Sequence, residues 1–343
     1  TTTTTTTTTS PPSEKPTTNN KGNPKDLLRV TFQHSIPASG NDGTAKNRVQ
    51  TIPIPTETIL DSNTNQRRIR NLIVTTKAFS AVEAIRSVQH RFLNNHDNGT
   101  TNILLLCNGA LAVRDELLQQ QQQQQQHLTA KIHLGFTTHG VIREVAKNDD
   151  DDDVSSAATV RIWHTGVGHV QLPTSWGQGD DSGAIDWTRL WNQGGLHCRP
   201  AASNHEMEQL QWLKLAANCV INPLTALHRC INGELPRIVP NFDQVQRDIL
   251  TELWAVAQKQ QEIQQQEEED SSSVSSSVAT APNQGLTIEG MTSFVKKVVS
   301  DTQQNQSSML QDVLQGRHTE IDYLTGYVVR KGTELGIDTP VNA

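Results

Sequence analysis

The sequence predicts an α/β domain followed by an all-α domain. Up to about residue 200, short apolar runs alternate with helical patterns, a texture typical of a parallel sheet covered by helices. After residue 200, apolar residues recur at three-to-four spacing over long stretches, which indicates helices alone. The length of 343 residues also exceeds the range of one comfortable hydrophobic core. We therefore place a domain boundary near residue 200.

The first domain is predicted over 27–200, after a segment 1–26 that we expect to be disordered because it has almost nothing to bury. The run 102–107 is continuously apolar, which fits a strand buried on both faces. The predicted strands are 27–32, 71–76, 102–107, 132–138 and 159–163, and the predicted helices are 81–92 and 113–118.

The second domain is predicted over 201–343 as helices. They cover 204–229, 245–265, 290–300 and 307–335. The polar residues 264–284 between two of them are expected to form a disordered insert. Such an insert lowers the stability of the fold only slightly, because the entropic cost of closing a loop grows slowly with its length.

Charge and composition exclude several classes of protein. The net charge is −7, but two acidic tracts, 149–153 and 267–270, hold nine of the 36 acids and leave 27 acids against 29 bases. Nothing in this balance indicates a nucleic-acid surface. No apolar run reaches the roughly 20 residues of a membrane helix. Four cysteines without a CxxC motif predict reduced thiols, so we expect a cytoplasmic protein, with an organelle as the alternative.

Lys214, Asn218 and Asn222 form a polar row at i, i+4 and i+8 in an otherwise apolar helical stretch. One interpretation is a small polar pocket lined by a cation and two amides. A lysine buried in such a pocket needs a partner or a use, and its pKa shifts easily. The alternative is a solvated face whose asparagines bond locally. The spacing alone leaves both interpretations open.

Other candidate residues have a structural explanation of their own. Asn108, with Gly109, follows the apolar run at 102–107, and Lys77 follows the strand at 71–76, where α/β sheets bind ligands, although both positions also suit turns. Ser308 with Gln311 fits a capping box. Glu320 fits an exposed helical acid.

No phosphate loop or metal site is predicted. The glycine pattern at 166–171 has Gln171 where the third glycine belongs, and the pattern at 177–183 has the wrong spacing. Neither follows a strand and opens a helix, as a dinucleotide fingerprint requires. The histidines show no HExxH motif or ligand cluster.

Three segments resemble the ketopantoate reductase family. The first is Lys-x3-Asn-x3-Asn-Pro-Leu-Thr-Ala-Leu at 214–227, the second is the run 307–322, and the third is Gly-Thr-Glu-Leu-Gly-Ile-Asp-Thr-Pro-Val-Asn at 332–342. They occur in the family's order. Weaker agreement at 77–78, 108–109, 135–140 and 164–168 extends the resemblance over about 70–343.

The resemblance implies a Rossmann-like NADP-binding domain followed by a helical domain like the carboxyl-terminal domain of 6-phosphogluconate dehydrogenase. It implies the NADPH-dependent reduction of ketopantoate to pantoate, for pantothenate and coenzyme A. By this resemblance Lys214 is the general acid, and Asn218, Asn222 and Ser308 bind the substrate. Glu320 acts in catalysis and holds substrate and cofactor, while Lys77 and Asn108 contact NADPH. The small-molecule partner implied by the resemblance is ketopantoate. Whether the chain forms a homodimer is left open.

The sequence departs from the family at both ends. The family's first strand, its GxGxxG loop and the following helix have no counterpart here, and the last family helix is cut short at Ala343. We therefore expect this chain to be incomplete and the Rossmann-like domain to lack its first unit. Two alternatives stay open: a non-catalytic relative serving as an interaction or ligand-sensing module, and a reductase of another 2-keto acid.

Overall fold

The computed structural model describes nine ranges of the chain. They are residues 2–7, 27–36, 46–55, 68–93, 99–124, 130–145, 159–176, 186–271 and 286–343. These residues divide into two units, which we describe separately. The first unit draws on 1–67, 137–170 and 191–199, and the second on 68–136, 171–190 and 200–343.

The strands, in chain order, are β1 (Thr2–Thr7), β2 (Leu27–Ile36), β3 (Lys46–Pro55), β4 (Asn71–Val74), β5 (Thr101–Leu105), β6 (Ala130–Leu134), β7 (Phe136–Thr137), β8 (Gly140–Val145), β9 (Thr159–Gly166), β10 (Val170–Leu172) and β11 (Cys198–Pro200). The helices are α1 (Ala78–Val88), α2 (Ala110–Gln124), α3 (Trp187–Gln193), α4 (Asn204–His228), α5 (Leu235–Ile238), α6 (Phe242–Ser271), α7 (Ile288–Asp301), α8 (Ser308–Leu314) and α9 (Thr325–Leu335).

The second unit contains the predicted parallel sheet. Its strands lie in the order β4-β5-β6, and both neighbouring pairs are parallel. Every residue of β5 is buried, as its continuous apolar run predicts. Helices α1 and α2 follow β4 and β5, so the chain forms strand–helix–strand units. The carboxyl ends of these strands lead directly into the candidate residues Lys77 and Asn108.

The first unit contains an antiparallel sheet of order β3-β2-β1-β9-β8. Two predictions are wrong here. Thr2–Thr7 is a strand within the segment expected to be disordered, because β-branched threonine suits a strand even in a low-complexity run. Residues 159–163 were expected in the parallel sheet, but β9 pairs antiparallel with β1 and β8. Residues 8–26 lie outside the described ranges.

The helices of the second unit follow the predicted pattern, with two corrections. The stretch predicted as helical over 307–335 is divided into α8 and α9. Helix α4 begins at Asn204, where the Ser203 side chain accepts a hydrogen bond from the Glu206 backbone N–H, and it ends at His228 before a left-handed Arg229. Helix α6 runs to Ser271, well past the predicted start of the insert at 264. Glutamine and glutamate favour helix, so the change in composition does not end it. Residues 272–285 lie outside the described ranges.

The helices and the parallel sheet belong to one unit, although the helical pattern begins near the predicted boundary at 200. Side chains join the two parts. The Tyr327 hydroxyl donates to Asp115 at 3.0 Å, and the buried Gln211 amide donates to the Gly135 carbonyl at 2.7 Å. Trp212 and Leu250 are fully buried among these helices. Within the described ranges, each helix is too short or too polar to cross a bilayer.

Candidate active site

Lys214, Asn218 and Asn222 lie in the middle of α4. Asn222 is buried, and the other two are half-buried. Across the described residues, none of the three side chains makes a hydrogen bond within the protein. The solvated-face alternative requires the asparagines to form local hydrogen bonds. They form none among the described residues. A cation and two amides with unused hydrogen-bonding capacity are instead available to a ligand.

The Lys214 ammonium lies in an apolar setting. Its Nζ is 5.9 Å from the centroid of the Phe136 ring. Burial lowers the pKa of Lys214 below its ordinary value of 10.5, while Cys107 and Glu320 act in the opposite direction. Burial also raises the pKa of the neighbouring Cys107 to about 11, so this thiol stays neutral near pH 7. Lys214 therefore has the lowered proton affinity that suits a group exchanging protons with a ligand.

Glu320 joins the ends of two parallel strands, although the sequence pattern alone favours an exposed acid. It is only 4% exposed. Its Oε1 accepts a hydrogen bond of 2.8 Å from the backbone N–H of Ala78, the first residue of α1. Its Oε2 accepts from Asn108 Nδ2 at 3.3 Å and lies 3.5 Å from Lys77 Nζ. The pattern prediction is therefore wrong, because contacts distant in sequence bury this carboxylate and the amino end of a helix favours its charge.

Asp312 belongs to the same cluster, although it is not among the residues predicted from the sequence. It lies on α8 and is 2% exposed. Its Oδ2 is 2.6 Å from Lys77 Nζ, and its Oδ1 accepts a hydrogen bond of 2.9 Å from Arg317 Nε. The available signal is an acid beside Val313 in a stretch predicted to be helical, because such a charge needs a partner when it is buried.

The capping prediction for Ser308 is wrong by one residue. Ser307 is the N-cap of α8, because its Oγ accepts a hydrogen bond of 3.1 Å from the Leu310 backbone N–H. Its Oγ also lies 2.7 Å from Thr225 Oγ1 on α4. The Gln311 side chain donates to the Gln306 carbonyl instead of completing a box. Ser308 is the half-buried first residue of the helix, and its hydroxyl bonds to no other described residue.

The two serines are expected to differ when each is replaced by alanine. Ser307→Ala should lower the free energy of unfolding by about 1–2 kcal/mol, because a cap and a buried hydrogen bond are lost. Ser308→Ala should change stability by less than about 0.5 kcal/mol. If Ser308 binds a ligand, the Ser308→Ala substitution should weaken the binding of that ligand. Chemical denaturation and steady-state kinetics measure both quantities, and the reverse pattern would make Ser307 the functional residue.

The structure brings the predicted residues together to different degrees. Lys77, Asn108 and Glu320 are in direct contact. Lys214 couples to Glu320 through charge, and it shares α4 with Asn218 and Asn222. Ser308 is tied to α4 through the bond between Ser307 and Thr225. All of these residues belong to the second unit.

Glycine serves packing at one of these strand ends. Gly109 has a φ of +64°, and a Cβ atom there would lie 2.7 Å from the Tyr323 carbonyl oxygen. Only glycine therefore fits between Asn108 and the segment that follows Glu320. Gly166 is the last residue of β9, and Gly168 lies between β9 and β10. These glycines therefore lead into a strand, whereas a phosphate loop leads into a helix. Residues 177–185 lie outside the described ranges. No cluster of metal-ligating side chains occurs among the described residues.

Comparison with known sequences gives consistent matches along the chain. The family model "Ketopantoate reductase PanE/ApbA" matches residues 28–174, and "Ketopantoate reductase PanE/ApbA C terminal" matches residues 206–343. The chain is 34% identical over 272 residues to a 2-dehydropantoate 2-reductase of Vibrio cholerae, which covers 79% of this chain and 74% of the relative. It is 30% identical to that of Escherichia coli O157:H7, over 79% and 70% of the two chains.

Solved structures share the fold. D-mandelate dehydrogenase with NADH and anilino(oxo)acetate aligns with a TM-score of 0.58 at 17% identity, over 85% of this chain and 78% of that one. The PanE/ApbA family ketopantoate reductase from Ralstonia eutropha JMP134 aligns with a TM-score of 0.53 at 20% identity, over 80% and 73%. At these identities the likeness concerns the fold alone.

Proposed function

This chain belongs to the ketopantoate reductase family, and we propose that it reduces 2-dehydropantoate to pantoate with a nicotinamide cofactor, NADPH. One structural observation carries the proposal. Lys214, with a lowered pKa, lies on the same helix as two amides that are free to bind a ligand, and it is electrostatically coupled to the buried Glu320. A non-catalytic role is not favoured, since the matched relatives are reductases.

The proposed reaction needs a proton donor at the keto oxygen. The cofactor, when bound, supplies a hydride to the keto carbon. Lys214 Nζ gives its proton to the carbonyl oxygen as negative charge develops there, and the lowered pKa makes that transfer easier. The apolar Phe136 ring limits competing solvation of the ammonium.

Substrate and cofactor contacts are divided among the other residues. Asn218, Asn222 and Ser308 provide hydrogen bonds to the substrate, because their side chains are not used within the described protein. Glu320 accepts a hydrogen bond from a substrate hydroxyl. A carboxylate at a helix terminus, already held by Ala78 and Asn108, needs little reorganisation to do so.

The residues present fit the nicotinamide end of the cofactor. Lys77 and Asn108 follow neighbouring parallel strands at their carboxyl ends, where open α/β sheets bind such ligands. The sequence contains no GxGxxG motif, the glycine loop that approaches the pyrophosphate in such sheets. The preference for NADPH, a homodimer and a cytoplasmic location stay predictions.

The direct test is turnover by the purified chain. With 2-dehydropantoate and NADPH, we expect loss of reduced-nicotinamide absorbance and a matching amount of pantoate, identified by mass spectrometry. NADH in place of NADPH tests the cofactor preference, and 2-keto acids that lack the hydroxyl test Glu320's proposed role. An absence of pantoate at high substrate and cofactor concentrations would contradict the proposal, whereas faster turnover of another 2-keto acid would change the substrate.

A further inference from the structure

Asp312 has no part in the proposed reaction, although its carboxylate is buried beside the site. Two cations neutralise it. Lys77 Nζ lies 2.6 Å from Oδ2, and Arg317 Nε and Nη2 each lie 2.9 Å from Oδ1. Both carboxylate oxygens are therefore paired with cations of the protein itself.

The Lys77 ammonium is shared unequally by two buried carboxylates. It is 2.6 Å from Asp312 but 3.5 Å from Glu320. Because the Coulomb attraction falls with distance, Asp312 holds the ammonium more strongly. Glu320 is left with Ala78 N–H at 2.8 Å and Asn108 at 3.3 Å as its nearer partners. Asp312 thus keeps Lys77 from closing fully on Glu320.

We infer that Asp312 is a positioning residue, which fixes the Lys77 ammonium after β4 and keeps the Glu320 carboxylate available to a substrate hydroxyl. This inference rests on the roles proposed above for Lys77 and Glu320. Arg317 completes the arrangement by neutralising the Asp312 oxygen that faces away from Lys77. Without Asp312, Lys77 would pair with Glu320 alone. Glu320 is the carboxylate proposed to accept the hydrogen bond from the substrate hydroxyl.

The kinetic test uses Asp312→Asn, which keeps the shape and removes the charge. We expect KM for 2-dehydropantoate to rise about tenfold, the effect of one weakened hydrogen bond to a charged group. We expect kcat to change by less than about threefold, because Lys214 is untouched. In a Lys77→Met background, Asp312→Asn should add no further rise in KM, since the two residues act together.

A second readout needs no turnover. Formaldehyde and a borohydride methylate a lysine whose amine is free to reach the reagent, and two carboxylates restrain Lys77, Asp312 at 2.6 Å and Glu320 at 3.5 Å. Peptide mass spectrometry should therefore show Lys77 methylated several-fold faster in Asp312→Asn than in the unaltered protein. The matched control is Asp301→Asn, which removes the 2.7 Å partner of the exposed Lys297 and should leave both KM and Lys77 unchanged.

The outcomes separate the inference from the proposed function. An unaltered protein that makes no pantoate contradicts the function, while the methylation rate still tests Asp312. A folded Asp312→Asn with unchanged KM and Lys77 reactivity overturns the inference, and so does a rise in KM that persists without Lys77. Should the asparagine variant fail to fold, Asp312→Glu, which displaces the charge by one methylene, must raise KM in the same direction.

Discussion

Replacing Lys214 with alanine is expected to lower kcat by about 10²–10⁴, the usual effect of removing a positioned general acid. KM for the keto acid should change far less, because the amides of Asn218 and Asn222 remain. The ratio of the two effects assigns the lost interaction to the transition state. Steady-state kinetics on the purified variant measure both parameters. An unchanged turnover number would remove Lys214 from this role.

Lys297→Ala is the matched control for this prediction. Lys297 lies on α7 with 72% of its side chain exposed, and its ion pair with Asp301 is between neighbouring turns of one helix. Such surface pairs contribute at most about 1 kcal/mol. The control variant removes the same charge from the protein and should retain the kcat of the unaltered chain. A similar loss in both variants would indicate a general electrostatic effect instead of proton transfer by Lys214.

The pH dependence of kcat follows from the same residue. Lys214 must carry a proton to act as an acid, and burial lowers its pKa below 10.5. The rate should therefore fall as pH rises through that lowered pKa, so the alkaline limb of the profile should lie below 10.5. Lys214→Ala should lose this limb. A limb that persists in the variant would belong to a different group.

The helices of the second unit were the most predictable part of the molecule. Helix α4 combines long apolar periodicity with a serine before its first residue, two local signals that agree. The strand Thr2–Thr7 was missed because six identical residues have no periodicity, and only pairing with β2 and β9 makes them a strand. Composition marks low complexity, but it does not measure the pairing partners available in three dimensions.

The candidate site was predictable only where a local motif contains it. The polar row on α4 is visible as spacing within nine residues, and the family resemblance adds its chemistry. The ion pairs of Lys77 with Asp312 and Glu320 join residues 235 and 243 positions apart. No local pattern reports such contacts, so the sequence does not predict a role for Asp312, and the pattern around Glu320 favours an exposed acid. The cap at Ser307 was misplaced by one residue, because helix ends are the least certain feature of a periodic pattern.

Replacing Glu320 is the second change with a large expected effect. Glu320→Gln keeps the size of the side chain but removes the charge that Ala78, Asn108 and Lys77 all face as donors. A glutamine has one acceptor oxygen, and its amide would meet a donor at the other position. We expect KM for 2-dehydropantoate to rise and kcat to fall, each about tenfold or more, since a hydrogen bond to a charged group contributes roughly 1.5–3 kcal/mol.

The expected loss has two causes, which further variants distinguish. Glu320→Ala removes the acceptor altogether and should weaken both parameters at least as much as Glu320→Gln. Glu289→Gln on α7 is the matched control, because its carboxylate is 76% exposed and lies 3.8 Å from Arg247. If the Glu320 variants keep normal kinetics and only their thermal midpoint falls, this carboxylate serves α1 and the fold. For a 2-keto acid without a hydroxyl, KM should be nearly the same in the unaltered protein and in both Glu320 variants. That substrate cannot donate a hydrogen bond to Glu320 in any of the three proteins.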